Sequence, residues 1–333
     1  MGAEILGVPE RAATPDLLVD WLEFAAFFAE SGRVSATQLV EQMDLDTEGE
    51  DPEFADADVF RESHFSSISA EIRRRAKGLG ESYPFRLSTD GCSFEFVVNA
   101  AYKEAQSTYL FTLILSHAPT SDILLTEAVP GEEEMRDARE VFQVCATIAA
   151  AGHTGGPAFS IGWPRRNKKA LLVALRAAWV HCGDGEIVDE LSPSIPPSVK
   201  DDGIDVLAFR RERDGGLTQG FLFGQVASGH DWKSKSAVQA ADRFLKEWFR
   251  RQPAARPQPV TFIPFVLSAD REKVRRNWLE HEYIISRTRL AARVQEGLEL
   301  ARNSELIVER VDDLPCVIAW VCRHRRSVLE ALP

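Results

Sequence analysis

The sequence predicts an α/β protein built from more than one packed unit. Three observations carry that expectation. The chain has 333 residues, 44% hydrophobic and 27% charged, which is ordinary globular composition with length for two or three cores. Stretches with apolar residues at helical spacing alternate with short β-rich runs. The charge is divided: residues 1–140 carry 11 Lys+Arg against 28 Asp+Glu, a net of −17, and residues 141–333 carry 28 against 23, a net of +5, which together give −12.

Taken in order, Leu17–Glu30 has helical spacing, and Ser35–Met43 continues as a second helix with Ser35 as N-cap. Asp44–Asp58 is acidic and reads as an exposed loop. Phe65–Lys77 is a helix whose Arg73-Arg74-Arg75 run suits a C-terminus, where cations meet the helix dipole. Cys92–Val98 and Thr108–Ser116 are β-rich and predict strands. Glu132–Ala151 is helical, with Val141, Val144, Cys145 and Ile148 as its apolar stripe. Gly152–Gly162 is rich in Gly and Pro and predicts a loop, Lys168–His181 a helix, and Ser192–Pro197 an extended connector. Ile204–Arg210 and Gly220–Val226, separated by a polar segment with Asp214-Gly215-Gly216, predict an antiparallel hairpin. Ala237–Arg251 is a helix, Gln252–Pro259 a stiff linker, Val260–Leu267 a strand, and the remainder mainly helical with a short strand at Pro315–Val321. The expected divisions are an acidic helical region over 1–80, a β-rich region over 81–135, an α/β core over 136–268 and a mainly helical region over 269–333.

Several classes are disfavoured. Met1–Pro15 lacks a basic start followed by an apolar core, and no apolar run approaches the roughly 18 residues that a spanning helix needs. The expectation is therefore a cytoplasmic protein without a membrane partner. Five scattered cysteines, Cys92, Cys145, Cys182, Cys316 and Cys322, form no C-x-x-C pair and are expected to be reduced, buried, small apolar residues. Gly152-His153-Thr154-Gly155-Gly156 lacks the spacing of a phosphate-binding loop. His181 beside Cys182 suggests neither a zinc pair nor a dyad, and His230 near Ser228 has no nucleophile elbow around it. The acidic first part suits solubility, a basic partner, or shielding of a phosphate-binding surface.

The hairpin carries the chemistry. Asp205 opens its first strand, in Gly203-Ile204-Asp205-Val206-Leu207-Ala208-Phe209, and Gln225 lies late in the second, in Phe223-Gly224-Gln225-Val226-Ala227-Ser228-Gly229-His230-Asp231-Trp232. Paired antiparallel, their side chains can converge at one end of a sheet. A magnesium-dependent phosphodiesterase needs such hard oxygen ligands, with a cation nearby to offset developing charge. Structural readings compete at each position: Asp205 as a strand-entry residue, Gln225 as a hydrogen-bonded amide, Glu140 as a first-turn acid of its helix, and Trp232 as a loop anchor.

A helix with a glutamate, then G-x-D followed by an apolar strand, a turn, and an apolar strand ending G-Q-x-A-x-G-x-x-W with lysines beyond, resembles the restriction-endonuclease-like, PD-(D/E)xK nuclease superfamily. The likeness is to the divergent form with glutamine in place of the second acid. It covers about residues 136–268. It implies a mixed, partly antiparallel sheet flanked by helices, preceded by the acidic helical and β-containing part. It implies that Asp205, Glu140 and Gln225 hold Mg²⁺ or Mn²⁺ and that nucleic acid, with DNA favoured, is hydrolysed. The position of the family's lysine, two residues after the second acid, is Ala227 here, so Lys233 or Lys235 would have to supply the charge. The resemblance further implies the nuclease effector of a bacterial anti-phage or restriction system, working with a separately encoded ATPase, helicase or sensor, and leaves a homo-oligomer open. The alternatives are a catalytically inactive DNA-binding or scaffold subunit of the same fold, and an acidic protein-interaction module. Asp270–Arg276 and Ser286–Arg293 present basic helical faces, either turned to a duplex or simply solvated.

Overall fold

The structure, a computed structural model, describes residues 5–10, 12–35, 37, 39, 43, 54–89, 91–118, 123–163, 165, 170–190, 202–210, 212, 214, 216, 218, 220–267, 271–303 and 305–331. The chain divides into two compact units, one of residues 1–135 with 318–333 and one of residues 136–317. Within the expected C-terminal region, residues 269–317 belong with the second unit and the rest with the first.

In the first unit, α1 (Pro15–Phe28) is buried from Leu18 onward on every side, so it is a core helix rather than an amphipathic one. α2 (Phe54–Leu79) is longer than expected. Of the expected loop at 44–58, residues 54–58 are already helical and 44–53 lie outside the described residues. β1 (Arg33–Ser35), β2 (Phe85–Leu87) and β3 (Ser93–Phe96) form an antiparallel sheet in the order β1-β3-β2. Ser35 therefore ends a strand; its Oγ accepts from the Thr37 N–H. The expected strand at Thr108–Ser116 is instead the end of α3 (Lys103–Ser116), which is buried throughout from Ala105. Burial on all faces erases the periodicity that separates helix from strand in a short apolar run.

The second unit holds the hairpin. It comprises α4 (Glu132–Thr154, which begins in the first unit), β4 (Ala158–Ser160), α5 (Leu171–Trp179), β5 (Glu186–Ile187), β6 (Val206–Phe209), β7 (Phe221–Val226), α6 (Ala237–Trp248), β8 (Phe249–Arg251), β9 (Gln258–Phe262), α7 (Arg271–His281), β10 (Tyr283–Ile285) and α8 (Arg287–Asn303). Five strands form one mixed sheet in the order β10-β9-β7-β6-β4. β4–β6 and β6–β7 are antiparallel, whereas β7–β9 and β9–β10 are parallel. The expected hairpin and mixed sheet are thus present. The loop expected at 152–162 contains β4, and β10 lies in a stretch expected to be helical. The strand expected at 315–321 is instead the start of α9 (Pro315–Ala331), whose proline at the first helical position has no N–H to leave unpaired. The Ser192–Pro197 connector lies outside the described residues.

Alternation assigns the sheet's faces. Phe159, Ile161, Leu207, Phe209, Phe221 and Phe223 pack in one cluster with Leu171, Leu175 and Trp179 of α5 and Ala240, Phe244 and Trp248 of α6. The opposite face meets α4: Gln143 Nε2 donates to Ser160 Oγ at 2.8 Å, and His153 Nε2 lies 3.2 Å from Gln258 Oε1. Cys145 and Cys182 are buried as expected, but Cys92, Cys316 and Cys322 are exposed; all five are free thiols.

Candidate functional site

The approach to β6 turns on two left-handed residues, Asp202 (φ 51°) and Gly203 (φ 84°). Asp202 is tied down: its carboxylate accepts from Trp248 Nε1 at 2.9 Å and pairs with Arg243 at 3.1 Å. Asp201 lies outside the described residues. Ile204 is fully buried in the cluster with α5 and α6. Val206 is the ladder partner of Gly224, yet the Asp205 N–H also donates to the Gly224 carbonyl at 2.8 Å. Two residues facing one is the arrangement of a β-bulge, which breaks the alternation of side chains. Asp205 therefore leaves the chain on the α4 side, next to Val206, while Ile204 faces α6.

The contacts of Asp205 agree with that placement. Its Oδ2 accepts the Val226 N–H at 2.8 Å, capping β7 where the ladder with β6 ends. A methyl group on Gly162 would overlap Asp205 Oδ1 and Gln143 Nε2, so that glycine is the gap through which the carboxylate and the α4 amide approach. Gln143 is 4% exposed. It lies one turn beyond Glu140, and its sequence signal was a lone amide between Phe142 and Val144.

The other expected site residues go elsewhere. Gln225 alternates with Phe223 on the α6 side, where its Nε2 lies 3.9 Å from where a Gly203 Cβ would be. Its Oε1 is buried with no hydrogen-bond partner among the described residues. Asp205 and Gln225 thus sit at the same end of adjacent strands but on opposite faces, and the expected convergence is corrected by the bulge. Glu140, with its side chain 53% exposed, pairs with Arg310 Nη2 at 3.0 Å. Ala227 is buried in a small apolar cluster with Trp232, Ile263 and Ile284. Lys233 Nζ lies over the Trp232 ring at 5.7 Å, and Lys235 pairs with Asp231 at 3.3 Å. Trp232 is 5% exposed and packs at a tilt against His281, with ring centroids 5.1 Å apart, so it is the loop anchor. Burial holds His281 below the usual imidazole range, so it stands neutral beside that ring.

These residues do not fit a resident Mg²⁺, which demands near-octahedral oxygen donors and is bound by carboxylates. Among the described residues, no group of three or more His, Cys, Asp or Glu is placed to hold a metal ion. On the α4 face the Asp205 carboxylate already accepts the Val226 N–H, the Glu309 carboxylate accepts the Ser160 N–H, and Gln143 is an amide whose Nε2 donates to Ser160.

A cavity of about 560 Å³ adjoins the same edge, lined by Ser160, Arg165, His181 and Arg310 among others. Arg310 adopts a left-handed conformation (φ 70°), and its guanidinium is held by Asp313 at 2.5 Å and Glu140. Sequence spacing gave no signal for Arg310, which lies 170 residues from its partner on α4. Compared with protein-family models, with curated proteins and with solved structures, the chain matches none.

Proposed function

We propose that residues 136–317 are a restriction-endonuclease-like core that binds nucleic acid, with DNA favoured, without cutting it. Support for the core is the chain order: a helix carrying Glu140, a strand opened by Asp205 and a strand carrying Gln225, all against one mixed sheet. Support for binding is charge, since these residues carry 27 Lys+Arg against 24 Asp+Glu in a chain of net −12, and Lys and Arg supply affinity for phosphate. The observation that supports binding without cutting is the bulge, which parts Asp205 from Gln225 across the sheet.

One observation favours the second reading, Mg²⁺- or Mn²⁺-dependent hydrolysis as effector of an anti-phage or restriction system with a separate ATPase, helicase or sensor. The Gln225 Oε1 is buried without a partner among the described residues, and leaving such an acceptor unsatisfied costs about 1–3 kcal/mol. Full-length protein and Asp205→Ala, each incubated with plasmid, linear duplex and single strands in Mg²⁺, Mn²⁺ or EDTA, separate the two. Retention of nucleic acid by both proteins without cleavage is the expected result. Metal-dependent cleavage lost in the variant would establish the second reading instead, and no binding at all would leave the acidic interaction module.

A further inference from the structure

α7 is very polar and buries only Val274, Asn277 and His281 to any extent. At about 100° per residue, Arg275, Leu279 and Arg276 lie opposite that side, with Glu272 among them, and Trp278 lies at its border, one turn from Arg275. Trp278 is 51% exposed and Leu279 76% exposed. Arg275 and Arg276 are exposed and make no ion pair among the described residues. Glu272 and Glu280 are the acids of the helix; against Arg271, Lys273, Arg275 and Arg276 they leave it net positive. The far end of α7 is fixed beside the segment that follows β7: Ser236 Oγ donates to the Glu280 carbonyl at 2.9 Å, and the His281 ring packs at a tilt against Trp232. Lys233 is exposed over that same tryptophan and adds a cation near the far end of α7.

An exposed indole one helical turn from the unpaired guanidinium of Arg275 is a combination that binds single strands, because every base offers a π-face for stacking and the backbone offers phosphates for pairing. Duplex bases are already stacked and offer an indole on a helix flank nothing comparable. A lipid surface would need a continuous apolar stripe along the helix, and α7 has only Trp278 and Leu279 at one end.

We propose that α7, with Lys233 beside it, is a docking surface for single-stranded nucleic acid, with Trp278 stacking on a base and Arg275 and Arg276 holding flanking phosphates. This rests on the nucleic-acid reading above and names its substrate as unpaired strand. The test measures binding of full-length protein to a labelled oligothymidylate, to a duplex of equal length, and to phosphatidylserine-containing vesicles over a range of salt. Trp278→Ala should lose about 5- to 150-fold affinity for the single strand and leave duplex affinity unchanged. Arg275→Ala with Arg276→Ala should lower the slope of log affinity against log salt by about 1.4. Unchanged thermal midpoints confirm that these surface variants remain folded. Single-strand binding indifferent to both variants would overturn the docking surface and leave the nucleic-acid reading standing. No binding to either nucleic acid by the unaltered protein would overturn both, and vesicle binding lost in Trp278→Ala with nucleic-acid binding intact would replace the proposal by a membrane surface.

Discussion

Arg75 has no exposed surface, and every nitrogen of its guanidinium is engaged. Nε donates to Glu71 at 2.8 Å, Nη1 to Asp20 at 2.6 Å and Glu23 at 2.9 Å, and Nη2 to the Asp16 carbonyl at 2.9 Å. Tyr83 and Tyr109 donate to the same Glu23, and His117 Nε2 lies 2.8 Å from Asp20 Oδ2. Burial alone would make the arginine easier to deprotonate, but the charges of Glu23 and Asp20 outweigh it and hold the group firmly protonated. Burial would likewise raise Glu71, yet the hydrogen bond from Arg74 and the charge and hydrogen bond of Arg75 hold it below the usual carboxylate range. Removing one member of such a buried network strands the others without compensation, at about 3–5 kcal/mol. Arg75→Met should therefore lower stability by that amount in urea unfolding followed by circular dichroism, and an unchanged midpoint would make the network incidental. Sequence reading placed Arg75 at a solvated helix end because its partners on α1 lie 52 and 55 residues away, outside any local window. Asp205 has the converse history: its position at a strand entrance was legible, but the bulge that turns its side chain away from Gln225 leaves no mark on a period-two pattern.

At the scale of elements, those bounded by clear turn residues were legible, and short apolar runs without such punctuation were not. β6, β7 and α6 came out near their expected bounds, since polar and glycine residues mark the turns at their ends. α3 and α9 were misread as strands, at 108–116 and 315–321, because their short apolar runs show no helical period. Gly152 illustrates a subtler failure. A glycine after an apolar stripe reads as a helix stop, but α4 continues to Thr154 because the glycine is needed for packing. A Cβ on Gly152 would overlap the Arg293 carbonyl of α8, and one on Gly297 would overlap the Ile148 carbonyl of α4. Backbone faces backbone at this crossing, so neither helix can yield by a side-chain rotation. Gly297→Ala should cost at least about 1–3 kcal/mol as an overpacked contact. Gly131→Ala, where a Cβ meets nothing within 4 Å, should stay within about 0.5 kcal/mol. Thermal unfolding of the two variants checks the contrast, and equal midpoints would mean that the helices are not held at this separation.

For the whole molecule, the split of charge was legible from the first count, whereas the path of the chain was not: residues 318–333 fall in the first unit, and nothing local announces a return across some two hundred positions. The same charge sets up a test of sign. The chain is net −12 at pH 7 with a pI near 5.2, so falling pH relieves self-repulsion, a term that by itself predicts rising stability. His153 and His281 oppose it. Burial, the main cause at both, lowers their pKa values below the usual 6.5. Around His153, Arg293 and Arg289 lower it further, while the Gln258 hydrogen bond and Glu296 pull the other way; at His281 only Glu280 does so. A depressed folded pKa means that the unfolded chain takes up protons first, so this stability is complete above about 6.5 and is lost as pH falls below it toward the folded values. Asp16 and Glu282, raised chiefly by burial, favour the folded state at lower pH and have their own window starting on the carboxylate side, near 4. Between pH 7.5 and 6 at physiological salt, surface repulsion is screened beyond about 8 Å, whereas each unit of histidine shift is worth about 1.4 kcal/mol. The histidines should therefore win, and the thermal midpoint should fall across that window. His153→Asn with His281→Asn should flatten the fall; a midpoint that rises toward the pI in the unaltered protein would show that diffuse repulsion governs instead.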